Sequence, residues 1–172
     1  MKPAIRKLAL ITHITASVGW FGAVAAFEAL AVAGLSCSDV LMVRAAYLSM
    51  RWTIWAIIIP FALSSLLTGL VLALGTKWGL FKHYWVFVKF LINTLGTVLL
   101  LFHTRLIGLV AKRAAEGPLL FADLRGLRIQ LVVIGGAALA ALLAATILAV
   151  FKPRGLMPFA VLGNGRMPLA DT

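Results

Sequence analysis

The sequence predicts an all-α fold, an integral membrane four-helix bundle, on three observations. First, 63% of the 172 residues are hydrophobic and the mean hydropathy is +1.06, where a soluble domain is about 45–50% apolar. Second, four apolar segments, 8–34, 52–74, 84–110 and 129–151, reach the ~20 residues that a helix needs to cross a bilayer. Third, basic residues flank these segments: Lys2, Arg6 and Lys7 precede the first, and Lys152 and Arg154 follow the last. The bundle thus occupies 1–151. The remainder, 152–172, holds three prolines and three glycines and is expected to be an irregular C-terminal tail.

The first span follows "MKPAIRKLAL", a basic stretch of the kind that opens a signal peptide, with "AVA" at 23–25 loosely resembling a cleavage site. Its apolar run continues to Leu35, longer than the ~7–15 residues of a signal core, so it is expected to be a retained span ending at the helix-capping Gly34. Before the second span, "SDVLMVRAAYLSM" (38–50) begins with Ser38 and Asp39, good N-cap residues. That stretch is either an interfacial helix or an extension of the second span, which ends at Gly75. The third span runs on through "RLIGLVAKRAAE" until Gly117 and Pro118 stop it. The fourth is alanine-rich and ends at Lys152 and Pro153; its Gly136, Ala140 and Ala144 follow the small-xxx-small spacing that lets helices approach closely. It carries no ionisable residue between Arg128 and Lys152, so its expected role is packing.

The net charge of +11, from 16 Lys and Arg against 5 Asp and Glu, has no aromatic–basic interleaving of the kind that reads nucleic acid. Its expected partner is the anionic lipid headgroup. Lys2, Arg6, Lys7, Lys77, Lys82, Lys152, Arg154 and Arg166 fall on the side of the termini, with Lys89 near the inner end of the third span. Arg44, Arg51, Arg105, Lys112, Arg113, Arg125 and Arg128 fall on the other side. The positive-inside rule therefore leans towards a plasma-membrane protein with both termini in the cytoplasm. A lone cysteine, Cys37, forms no internal disulfide and reads as a small apolar filler at a helix end.

Polar residues form stripes. With successive residues turned by roughly 100° on a helix, Ser17, Trp20 and Glu28 fall on the face of His13. By the same rotation Trp85, Asn93, Gly96 and His103 fall on the face of Lys89. In the second span Thr53, Pro60, Ser64 and Thr68 align. An ionisable group at mid-membrane costs about 2.5–3.5 kcal/mol on insertion scales, so the three stripes are expected to face a common interior. Spans one and three run in the same direction. His13 should then share a level with Lys89, and Glu28 with His103, with the two levels roughly 21–22 Å apart.

"HITASVGWFG" (13–22) and "WVFVK" (85–89) carry a resemblance. The pairing of His-x6-Trp-x-Gly with a later Trp-x3-Lys resembles the heme-containing membrane protoporphyrinogen oxidases and, more loosely, the copper resistance protein D family. With "GTKWGLFKHYWVFVKFL" (75–91), the whole chain is similar to a family of small four-span membrane proteins of unknown function. The match covers about a third of the chain, and "AVAAFEAL" stands where the oxidases continue span one with arginine and tyrosine. The resemblance implies heme b as cofactor, with His13 as a ligand of the iron and Lys89 as a functional residue.

The residues themselves leave alternatives open. His13 is either an axial heme ligand, since neutral imidazole in a bundle holds iron well, or a histidine bonded to neighbouring helices. Lys89 is a second ligand, a partner for a propionate or a snorkelling lysine. Trp20, Ser17 and Asn93 lie where they would line a cofactor. His83, off the Lys89 stripe by about a third of a turn, reads as interfacial, with an approach to His13 and a metal-binding role left open. Glu28 and His103 form a hydrogen-bonded pair, a proton relay or a weak second metal site. Trp52, Trp55, Trp78 and Trp85 read as belt aromatics. Three histidines cannot supply two bis-histidine hemes. The first functional reading is a heme-binding redox or electron-transfer protein. The others are a small transporter or metal-homeostasis protein relaying protons or metal through buried His, Glu and Lys, and a structural accessory subunit. A redox partner or a second copy of the chain is left open.

Overall fold

The computed structural model describes residues 1–76, 79–116 and 124–152. The expected helix stop at 117–118, Trp78 and the tail beyond Lys152 lie outside the described residues. The fold is all-α: α1 (Pro3–Ser36), α2 (Val40–Thr53), a π-helical segment (Ile54–Ile58), α3 (Ile59–Gly75), α4 (Tyr84–Glu116) and α5 (Arg125–Phe151). With α2, the π segment and α3 counted as one helix, Val40–Gly75, the described residues hold four helices long and apolar enough to cross a membrane. The stretch 38–50 is thus an extension of the second span, not a separate interfacial helix.

Helix ends follow local chemistry. Pro3 sits in the first turn of α1, where its missing N–H costs nothing. The helix runs two residues past Gly34 to Ser36. The Asp39 carboxylate caps α2 by accepting a hydrogen bond from the Leu41 N–H at 3.0 Å. The π segment precedes Pro60. A proline cannot bond the carbonyl four residues back, and its ring clashes with it. The wider turn relieves that clash, and the Ile59 N–H bonds Ile54 O, five residues back.

The connections set the arrangement. α1 packs beside α2, α3 and α5, and α4 beside α2, α3 and α5. The two parallel helices α1 and α4 therefore face each other across the bundle. Their register is an offset of 76 residues, as His13 meets Lys89 and Trp20 meets Gly96.

The interior divides into two unlike halves. Towards the end of α1 it is filled by Phe27, Tyr47, Met50, Ile54, Ile58, Val110 and Leu131, all buried. Towards the start of α1 the buried groups include His13, Ser65, Asn93 and Thr97. The apolar half is pinned by Arg128, whose Nε–H donates to Tyr47 Oη at 3.1 Å and whose Nη2 donates to Gly34 O. This cation also lies at the C-terminal end of α1, where it favours the helix dipole.

The outward residues correct two expectations. On α5 the buried face is Leu131, Gly135 and Ala145, while Ala140 and Ala144 of the small-residue stripe are exposed. An alanine-rich helix offers several rows that fit small-xxx-small spacing, and its partners decide which row is used. On the second span Pro60 is exposed, and Ser65, not Ser64, is the buried serine. The inward face runs through Ile54 and Ser65, eleven residues or about three turns apart, and not through Thr53 and Ser64.

Gly34 tests the apolar half. A Cβ there would lie 2.7 Å from Tyr47 Cε2, and Tyr47 is 1% exposed and held by Arg128. Gly34→Ala is expected to destabilise the bundle by about 1–3 kcal/mol from overpacking, less the ~1 kcal/mol that alanine gains in a helix. Thermal unfolding in detergent checks this, and an unchanged midpoint would show that the ring yields freely.

Candidate functional site

The site is built around His13. Its residue is 8% exposed, and its ring contacts two other helices. Nδ1 lies 3.0 Å from Ser65 O and 3.2 Å from Thr68 Oγ1. A carbonyl oxygen can only accept, so the hydrogen of a neutral imidazole sits on Nδ1 and Nε2 keeps its lone pair. Thr68 agrees with this assignment: its hydroxyl donates to Ser64 O at 2.5 Å, which leaves its own lone pairs for Nδ1–H. Lys89 Nζ lies 3.5 Å from Nε2 and donates to it from across the bundle.

Sequence positions account for this geometry. His13 and Ser17 are one turn apart on α1, and Ser65 and Thr68 nearly one turn apart on α3, so two polar rungs form between the helices. Ser17 Oγ and Ser65 Oγ, 2.8 Å apart, make the second rung. Gly69 completes the wall. A Cβ there would lie 3.0 Å from His13 Cε1 and 3.5 Å from Nδ1, so only glycine lets the ring settle against α3 without displacement. The polar stripes did not single out Ser65 and Gly69; the signal for them was the Ser-x2-Thr-Gly order at one helical turn.

The other predicted residues separate into groups. Asn93 is buried one turn beyond Lys89, with Thr97 above it donating to Asn93 O at 2.8 Å. Trp20, 4% exposed, covers this polar cluster, with its ring over Gly96. Beyond it the interior is apolar. Trp52 and Trp55 face outward, at 76% and 58% exposed. His83 sits beside Trp85, ring centroids 6.4 Å apart, and the hydrogen bonds of His13 run to Ser65, Thr68 and Lys89 instead.

The structure does not join Glu28 to His103. His103 Nδ1 donates to Leu99 O of its own helix at 2.7 Å, a bond that satisfies it locally. The Glu28 carboxylate instead presses against Gly135 of α5, and its Oε2 is buried without a hydrogen-bond partner. A helical wheel places both residues on inward arcs but does not choose between neighbouring helices. No group of three or more His, Cys, Asp or Glu able to hold a metal occurs among the described residues, which leaves His83 and the Glu28–His103 level without a ligand set.

Comparison with family models, curated proteins and solved structures finds no match to this chain. The functional reading therefore rests on the geometry. The arrangement offers one neutral, tautomer-fixed imidazole with an inward lone pair, one amine opposite it, and hydroxyl and amide groups around them. Metal-bound histidines carry this kind of support, with the far nitrogen donating to a backbone carbonyl. The His13 donor set is of the kind that serves as an axial ligand for heme iron, with its Nε2 lone pair engaged by Lys89 Nζ at 3.5 Å in this structure. No cluster of carboxylates or thiolates is needed, because the porphyrin supplies the other ligands.

Proposed function

We propose that the protein is a heme-b-binding integral membrane protein with a redox or electron-transfer role, in which His13 ligates the iron. The observation that carries this reading is the Nδ1–H bond to Ser65 O at 3.0 Å, which turns the basic Nε2 towards the interior. Ser65 and Thr68 orient the ring and raise its basicity as a ligand. In this reading Lys89 acts as a second ligand or as a cation for a propionate, and Trp20 shields the polar cluster from the apolar half. When bound, heme supplies a one-electron couple tuned by its axial ligands and burial. The protein sits in the plasma membrane with both termini cytoplasmic, as its slight excess of Lys and Arg on the terminal side favours.

A second reading, proton relay, draws support from the His13–Lys89 hydrogen bond. That exchange stays local, because Trp20 and the large apolar side chains beyond it separate His13 from Glu28. The deciding experiment is an absorbance spectrum of the full chain, expressed with heme supplied, purified in detergent and recorded oxidised and reduced. A Soret band that shifts on reduction is expected. Its absence after heme supply would remove the heme reading.

A further inference from the structure

The heme reading makes no use of Glu28, which lies 15 residues beyond His13, about 22 Å along α1. Three features set this carboxyl apart. Its Oε2 is sealed from solvent and unpartnered, and no cation lies within 4.0 Å of it among the described ion pairs. It also rests in a notch made by the missing side chains of α5: a Cβ on Gly135 would collide with it, and one on Gly136 would stand 3.9 Å from Oε1.

Among the described residues, the charged and titratable groups around that level are turned elsewhere. On α2, Arg51 is exposed. On α4, His103 is bonded to Leu99 O and Arg105 is exposed. On α5, Arg128 holds Tyr47 and Gly34 O. The C-terminal half of α1 holds no other ionisable side chain. Glu28 as a whole is only half-buried, but a charge on the Oε2 turned into this notch would have no counter-ion there, whereas the neutral acid leaves only one polar group short of a partner. Arg51, Arg105 and Trp52 mark the adjoining membrane boundary, so water is close to the open side of the seam.

We propose that Glu28 is a proton-exchange site, a carboxyl housed as the neutral acid in the Gly135–Gly136 notch that exchanges its proton with water at the face where α1 ends. It is independent of the His13 site and of any cofactor there. The ligand is the proton itself, and its uptake closes the α1–α5 seam around a neutral group. Its release places a charge against the α5 backbone and loosens that seam.

An apolar carbodiimide reads this state. A carboxylic acid gives its proton to a carbodiimide nitrogen while its oxygen bonds the central carbon, and the O-acylisourea formed rearranges to a stable N-acylurea. The full chain in lipid vesicles is treated with dicyclohexylcarbodiimide across a pH series, and adducts are mapped by peptide mass spectrometry. Labelling is expected at Glu28, falling about tenfold per pH unit above its midpoint, and to vanish in Glu28→Gln. A water-soluble carbodiimide with an added amine is expected to label the exposed Asp39 and Glu116 and spare Glu28. No adduct at Glu28 at any pH, labelling that ignores pH, or equal labelling by the water-soluble reagent would each overturn the proposal. None of these readouts depends on the Soret band, so the two proposals fail separately.

Discussion

His13→Ala is expected to abolish the Soret band of the heme-supplied protein, while His103→Ala leaves it unchanged. The asymmetry is geometric. His13 and Lys89 share one level, and His103 lies 14 residues beyond Lys89 on α4, about 21 Å away, with its Nδ1 already bonded within its own helix. No porphyrin ligated at His13 reaches it. Losing the imidazole removes the hydrogen bonds to Ser65 and Thr68 at a net cost of about 1 kcal/mol each. The bundle is expected to survive, because Tyr47, Met50, Ile54 and Ile58 lie in the other half of the interior. Gel filtration of the variant checks that the fold persists, and added imidazole should restore part of the band by filling the vacated position. A full Soret band in His13→Ala would remove His13 from the ligand set.

Gly69→Leu is expected to weaken heme binding by about 10–100-fold, the range for loss of groups that orient a metal-bound histidine. Gly69 touches no cofactor in this reading. It lets the Nδ1–Cε1 edge of the His13 ring come against α3, where Nδ1–H meets Ser65 O, and a Cβ would stand 3.0 Å from Cε1. Leucine adds three more carbons in that space and drives the ring off its carbonyl partner. Gly69→Ala should give a smaller loss, because one carbon displaces the ring by only a few tenths of an ångström. Heme titration of the apoprotein measures both, and wild-type affinity in the leucine variant would show that the ring needs no such seat.

The sequence revealed the bundle most clearly, since apolar length and flanking charge depend on membrane thickness and not on tertiary detail. The facing of α1 and α4 was also legible. His13, Trp20 and Phe27 recur every seven residues, as do Lys89, Gly96 and His103, so matched spacing on parallel helices brings the first pair to one level. The partner of Glu28 was not legible, because inward arcs are broad and a long side chain selects among three neighbours. Gly135 was passed over for the same reason. Adjacent glycines leave a choice of rows, and only the carboxylate opposite distinguishes them.

The π segment Ile54–Ile58 behaves as a frameshift in facing. Each residue advances a helix by about 100°, and the extra residue in the wide turn is absorbed there, so the chain below it is read in a different phase from the chain above. Tyr47 and Ser65 are 18 residues apart, about five whole turns of an unbroken α-helix, so without the wide turn the two would point the same way. The extra residue turns Ser65 and Gly69 by about 100° relative to Tyr47, so that Tyr47 meets Arg128 and Gly34 while Ser65 and Gly69 meet His13. Pro60, itself turned outward, thereby sets from a distance which serine and which glycine His13 meets.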